Sequence, residues 1–302
     1  DAVIESWILT NKLGLDGDYA ASIISWAFEL YEKGIITNKD TDDLELKWGN
    51  SKSFIAMLKK LAYREGFGNL LADGILEAAK KIGKNSEYYC IHIKGQPSIE
   101  PFRVPKGWAL AVSTSPVAGR HLRGATMGNK RYGPKPRIDS YNIIEYEKQA
   151  HGVYWQGKTK EIEDNLGICN YVGTWSGANF LDIDDFVKLI NTGMGLNLNE
   201  KDLMDYYAPI GRNLEKAFNT LQTDLSRKDD IPPERFIKEE IKSGPYKGFK
   251  IDLNKYDKML DEYYSLWEWD QETRMQTRRG LEKLGLEEVA DKLAKIGKLI
   301  EK

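Results

Sequence analysis

The sequence predicts a mostly α protein of two interlocked helical domains, and three observations lead there. Apolar residues recur at helical spacing in run after run, a glycine closes most of those runs, and a single short stretch reads as a strand. Strands and helices do not alternate as a parallel sheet requires, and no heptad pattern persists long enough for a coiled coil. With 302 residues, 41% hydrophobic and 30% charged, the chain has material for about two domains and a sizeable core.

In order, residues 3–13 read as a helix with Ile4, Trp7 and Ile8 on one face. Ala20, Ile23, Ile24, Ala27, Phe28 and Tyr31 form the stripe of a longer helix that ends at Gly34. Residues 51–65, with Phe54, Met57, Leu58 and Leu61, and residues 70–82, closed by Gly83, complete a first helical domain over 1–105. Residues 88–94 are aromatic and β-branched and read as the strand. Residues 95–137 are rich in Gly, Pro and basic residues and read as an irregular, functional loop. The second domain, 106–302, keeps 106–137 as its cofactor-side loop. Its helices are expected at 141–150, 159–166, 182–191, 200–225, 253–267 and 286–300, with a surface excursion marked by Pro232-Pro233 and Gly244-Pro245.

The formal net charge of -2 offers no electrostatic footprint for nucleic acid or an anionic membrane, and no apolar run approaches a membrane span. Two cysteines, Cys90 and Cys169, rule out a disulfide framework and suit a reducing, cytoplasmic setting. A homo-oligomer is compatible with this composition. Because the sequence starts at Asp1 in an amphipathic run, a fragment, a processed product or part of a split protein is expected.

One pattern occurs twice. Asn11-Lys12-Leu13-Gly14-Leu15-Asp16 and Asp164-Asn165-Leu166-Gly167-Ile168-Cys169 both read polar, one spacer, aliphatic-Gly-aliphatic, then a polar or ligating residue. Such a hexad suits a helix end: the glycine takes the left-handed conformation, and the last residue is aimed past the terminus. There Asp16 offers acceptors and Cys169 a thiolate. A cap over buried leucines explains one copy; two copies, one ending in a rare cysteine, point to paired ligand sites. Between them, Gly119-Arg120-His121-Leu122-Arg123-Gly124 places a histidine between two arginines. Arg120 and Arg123 suit a phosphate clamp, and His121 suits acid–base work or a hydrogen bond to a metal-bound oxygen. His92 reads as a structural histidine inside the strand, and His151 as a helix C-terminal cap. Walker loops, a Ser-His-Asp series and zinc-spaced Cys/His clusters are absent.

These residues, with Ala62-Tyr63-Arg64-Glu65-Gly66-Phe67-Gly68, His92-Ile93-Lys94-Gly95, Pro233-Glu234-Arg235-Phe236 and Leu260-Asp261-Glu262-Tyr263-Tyr264, make the chain resemble domains 2 and 3 of the aldehyde:ferredoxin oxidoreductase family, the tungsten pterin enzymes. The resemblance runs over essentially the whole chain. It implies that each hexad holds one pterin of a tungsten (or molybdenum) bis-pterin cofactor, through Asn11 and Asp16 in one and Asp164, Gly167 and Ile168 in the other. It implies Cys169 as one ligand of a [4Fe-4S] cluster and His121 as the active-site histidine that assists proton transfer. The family's N-terminal β-rich cofactor domain, which supplies the other cluster cysteines, is absent from this sequence, so the resemblance implies a chain inactive alone. The implied partners are that domain or a subunit in its place, ferredoxin or another electron-transfer protein, and a small-molecule aldehyde.

Several positions depart from the family pattern. Asn11 replaces an aspartate, Glu100-Pro101-Phe102-Arg103 stands where Asp-Pro-Arg-Gly is common, and Ser115-Pro116-Val117 lacks the arginine that usually follows proline. Glu268-Trp269-Asp270 lacks a preceding glycine, and Met275-Gln276-Thr277 replaces an Ile-Pro-Thr-like turn. These leave two alternatives: the tungsten subunit of an aryl-CoA reductase, and a cofactor-free helical binding or scaffold module.

Overall fold

A computed structural model describes residues 1–126, 142–174 and 180–301. The fold is mostly α-helical, and its compact units are two, each drawn from two stretches of chain. The first unit comprises Asp1–Ile99 with Pro233–Glu239, and the second Glu100–Pro232 with Glu240–Lys302. Among the described residues no helix is long and apolar enough to cross a membrane.

The first unit contains α1 (Ala2–Leu13), α2 (Gly17–Glu32), α3 (Ser51–Tyr63), α4 (Phe67–Leu71) and α5 (Ile75–Ile82). Its centre is α2, whose Ile23, Ile24, Ala27 and Leu30 pack with Met57 and Leu58 of α3 and with Leu71, Ile75 and Ala78. Asn50 caps α3 by accepting from the Ser53 amide at 3.2 Å. The expected helix over 70–82 is two helices, because Gly74 at φ 102° turns the chain between α4 and α5. The apolar face of α1 points outward, with Ile4 64%, Trp7 58% and Ile8 51% exposed.

The expected strand over 88–94 is corrected. Ser86–Tyr89 is a 3-10 turn, and the strands are two residues each, β1 (His92–Ile93) and β2 (Gln96–Pro97), paired antiparallel with His92 opposite Pro97. Lys94 and Gly95, both at positive φ, make the turn. His92 has the structural role expected: its Nδ1 accepts from the Gly95 amide at 3.3 Å, and burial pulls its pKa down.

The second unit holds α6 (Lys106–Thr114), α7 (Gln149–Asn165), α8 (Ile183–Met194), α9 (Glu200–Asp202), α10 (Ala208–Gln222), α12 (Leu253–Leu266), α13 (Arg278–Glu282) and α14 (Glu287–Lys295); α11 (Glu234–Lys238) belongs to the first. The expected helices at 182–191, 253–267 and 286–300 correspond to α8, α12 and α14. That at 200–225 is α9, a π-turn over Leu203–Tyr207, and α10, the π-turn standing just before Pro209, which has no amide to give.

Two expectations in this unit fail for one physical reason. Residues 95–137 are not wholly irregular: all nine residues of α6 are buried, so the helix shows no polar face to reveal its period. The expected helices at 141–150 and 159–166 are replaced by the single α7. Its buried residues include Gln149, Gln156, Lys158, Lys160, Glu161 and Glu163, and so much buried polarity hides a helical stripe. His151 therefore stands in the first turn of α7, not at a C-terminus, and its Nδ1 lies 3.0 Å from Glu262 of α12. Residues 127–137 of the expected cofactor-side loop lie outside the described residues.

Candidate functional site

The two hexads adopt the same helix end. After α1, Gly14 sits at φ 66°, its amide donating to Asn11 O at 3.3 Å while Leu15 donates to Thr10 O at 2.9 Å. After α7, Gly167 sits at φ 70°, its amide donating to Asp164 O at 3.1 Å while Ile168 donates to Glu163 O at 2.8 Å. In each, a left-handed glycine closes the turn and the next amide reaches back five residues. The first copy belongs to the first unit and the second copy to the second.

Beyond the cap the copies diverge. Asp16 becomes the N-cap of α2, one carboxylate oxygen accepting from the Tyr19 amide at 2.8 Å. Asn11 donates its amide to Trp7 O, one turn back on its own helix. Asp164 is instead held by two cations: Lys160 donates to Oδ1 and Arg123 to Oδ2. Arg123 also meets Glu215 Oε1 at 3.0 Å and Glu161 Oε1 at 3.9 Å, so in this structure its guanidinium holds carboxylates. It reaches Asp164 because Gly124, at φ 130°, lies against the backbone of α7, where a Cβ would meet Val153 O at 3.1 Å and Gly157 Cα at 3.4 Å.

Cys169 is exposed, whereas Cys90 is buried and its thiol is pushed up to about 12 by burial. The loop after Cys169 is built on a buried acid. Glu163 Oε1 accepts from the Thr174 amide at 2.8 Å and its hydroxyl at 3.1 Å, and a Cβ at Gly173 would stand 2.1 Å from that oxygen. Burial pushes the Glu163 carboxyl upward, the Thr174 bonds opposing it. Among the described residues, Glu163 Oε2 and Asn170 Oδ1 are buried acceptors with no hydrogen-bond partner. Glu161, also buried, shares a hydrogen bond with Glu215; burial and that neighbour's charge push it up to about 8 against the pull of Arg212 and Arg123.

His121 has a partner that sequence reading missed. Its Nδ1 lies 2.6 Å from Glu100 Oε1, and Glu100 Oε2 accepts from Trp108 Nε1 at 2.8 Å. The Trp108 ring stacks on the imidazole at 5.0 Å between centroids, tilted 26°. Glu100 stands 21 residues before His121 and Trp108 13 before it, in a stretch without a period, so spacing gave no signal for the pairing. Arg120 is partly buried, its amide closing a turn to Val117 O at 3.3 Å.

Beside the second helix end a cavity of about 450 Å³ opens among Leu166, Ile190, Met194, Leu198, Tyr207 and Leu214, an apolar lining suited to an apolar group. Asp164, Glu163 and Asn170 flank that helix end in sequence, and their oxygens are acceptors, the chemistry that a heterocycle with a donor-rich edge would use. A metal ion would need more than this chain's described residues bring together, since no three of its His, Cys, Asp and Glu side chains converge on one point there.

The family profile described as "Aldehyde ferredoxin oxidoreductase, domains 2 & 3" matches residues 1–286. Tungsten-containing aldehyde ferredoxin oxidoreductases of Pyrococcus furiosus and Pyrococcus horikoshii are 29% and 30% identical over 291 and 295 residues, in each case 95% of this chain and 46% of the relative. An aliphatic sulfonate oxidoreductase WOR-like subunit of Pyrococcus furiosus is 28% identical over 96% of this chain and 43% of its own. In structure, the BamBC active-site complex of benzoyl coenzyme A reductase with 1,5-dienoyl-CoA is similar at a TM-score of 0.75 and 26% identity, over 94% of this chain and 46% of that one. This chain thus spans about half the length of the relatives it matches. It belongs to the aldehyde ferredoxin oxidoreductase family, in the part described as domains 2 and 3.

Proposed function

We propose that this chain forms the domain 2 and 3 part of a cytoplasmic tungsten (or molybdenum) bis-pterin oxidoreductase. The enzyme oxidises an aldehyde to a carboxylic acid: RCHO + H2O gives RCOOH, two protons and two electrons. The metal-pterin group, when bound, supplies the two-electron acceptor. A [4Fe-4S] cluster, with Cys169 as one of its ligands, would supply the one-electron outlet toward ferredoxin. The observation that carries the reading is the repeated helix end, with a fixed acceptor at one terminus and an exposed thiol at the other.

Each residue has a role of its own. Asp16 and Asp164 accept hydrogen bonds from the amino-amide edges of the two pterins, and Arg123 and Lys160 hold Asp164 in orientation. Cys169 gives one thiolate to the cluster, the rest coming from outside this chain. His121 takes up or delivers the proton released as the aldehyde gains oxygen. By itself the chain is inactive on this reading. The test is aldehyde-dependent viologen reduction by the anaerobically purified enzyme that contains this chain. His121→Ala is expected to lower kcat by about 10²- to 10⁴-fold; unchanged turnover would remove His121 from the mechanism.

A second reading, the tungsten subunit of an aryl-CoA reductase, is favoured by the likeness to the benzoyl coenzyme A reductase complex and by the apolar cavity at Leu166. Reduced dye consumed by an aryl-CoA thioester, with none formed from aldehydes, would select it. A cofactor-free scaffold would have no use for the paired helix ends and an exposed Cys169.

A further inference from the structure

We infer that Glu100 is the positioning residue of His121, holding the neutral imidazole as its Nδ1–H tautomer so that proton exchange runs through Nε2. The argument starts from Trp108, whose indole nitrogen can only donate. Glu100 Oε2, 2.8 Å away, must accept that hydrogen bond. The same side chain meets His121 Nδ1 at 2.6 Å through Oε1, and an ionised carboxylate has no proton to give. The hydrogen on that contact is therefore the imidazole's, on Nδ1. With Nδ1–H committed, Nε2 carries the lone pair in the neutral ring and the second N–H in the cation, and any ligand exchanges its proton there. The carboxylate side chain is 10% exposed, so water competes little for it, and the stacked Trp108 ring fixes the imidazole plane. This is the logic by which a buried carboxylate sets a catalytic histidine's tautomer in other enzymes.

His92 provides the opposite case within the same chain. Its Nδ1 accepts from the Gly95 amide, so its hydrogen sits on Nε2 when the ring is neutral. Two of the three histidines should therefore show opposite tautomers in one spectrum.

The consequence for catalysis rests on the proton-transfer reading of His121; the tautomer itself does not. Glu100→Gln keeps the shape but supplies one amide oxygen for two N–H donors. The indole can only donate whereas the imidazole can also accept, so the oxygen goes to Trp108, the amide nitrogen faces His121 Nδ1, and the imidazole moves its hydrogen to Nε2. Glu100→Asp keeps an ionised acceptor and should keep Nδ1–H.

The test is long-range 1H–15N correlation of the histidine rings in the [15N]histidine-labelled chain over a pH series, with folding checked by circular dichroism. Expected are Nδ1–H for His121 and Nε2–H for His92 in the wild type, a switch of His121 to Nε2–H in Glu100→Gln, and no switch in Glu100→Asp. His121 as Nε2–H in the wild type, or a tautomer indifferent to Glu100→Gln, would overturn the inference. In the loaded enzyme, Glu100→Gln should lower kcat by about 10²- to 10⁴-fold with KM little changed. A tautomer that switches while turnover stays the same would uphold the positioning role and retire His121 as the proton carrier.

Discussion

The helix ends at Gly14 and Gly167 share one backbone and almost nothing else. At the first, the leading Asn11 bonds only within its own helix and Asp16 is drawn into capping α2. At the second, Asp164 is gripped by Lys160 and Arg123, and the chain after Cys169 folds over the buried Glu163. The helices behind them differ in the same sense: α1 presents Val3, Ile4, Trp7 and Ile8 to solvent, whereas most of α7 is buried, charges included. A six-residue pattern dictates the local cap, and distant neighbours dictate what the capped residues can do.

The largest expected effect separates the two leading positions. Arg123→Ala leaves Asp164, Glu215 and Glu161 without their shared cation and should cost about 3–5 kcal/mol, discounted toward the lower figure because Arg123 is partly exposed. Asn11→Ala should change stability by less than about 0.5 kcal/mol. Urea unfolding of both variants measures the contrast, and equal losses would mean the two ends are held alike.

Next come the glycines. Gly173→Ala would set a methyl 2.1 Å from Glu163 Oε1 and displace the loop that presents Cys169, at a cost of about 1–3 kcal/mol. Gly14→Ala and Gly167→Ala meet no atom within 4 Å, so each should lose only about 1 kcal/mol, from the left-handed backbone. A similar loss at all three positions would contradict the packing assigned to Gly173.

The units should also respond to pH in opposite directions. In the first, the Phe67 amide and then Lys60 hold the Asp42 carboxyl below its ordinary 3.8. Its contribution is present above that value and is lost as pH falls through the lower folded one. In the second, Glu161 is raised from 4.5 to about 8, so its contribution is full below 4.5 and is lost as pH rises toward 8. Hydrogen exchange against pH should show α7 loosening toward alkaline pH and the Asp42 turn loosening in acid. Glu161→Gln should flatten the alkaline limb, and a limb unchanged by it would assign that loosening to another group.

Thiol chemistry makes the smallest contrast. Iodoacetamide at mildly alkaline pH should label Cys169 and spare the buried Cys90, as read by peptide mass; labelling of Cys90 first would contradict its burial.

What the sequence disclosed follows from these physical causes. The caps were legible because a glycine after an aliphatic residue needs only its own six-residue neighbourhood to act. The helices α2, α3, α8 and α12 were legible because one face meets water. Neither α6 nor α7 was, since a helix buried on nearly every side has no period to show, and buried Lys158 and Glu163 look like surface residues in a sequence. The site divides along the same line. Asp164 and Cys169 stood out by pattern, but Glu100 beside His121, Glu163 beneath the Cys169 loop and the carboxylates around Arg123 are tertiary partners.

The central claim, that the second helix end belongs to a metal-pterin and iron–sulfur site, is tested most directly by metal analysis. Tungsten, molybdenum and iron would be measured together in the anaerobically purified enzyme containing this chain, as wild type and as Cys169→Ala. The account predicts about one tungsten or molybdenum and about four irons per wild-type chain, with iron falling in the variant. Full iron retained in Cys169→Ala, or wild-type enzyme of full length with neither metal, would contradict it.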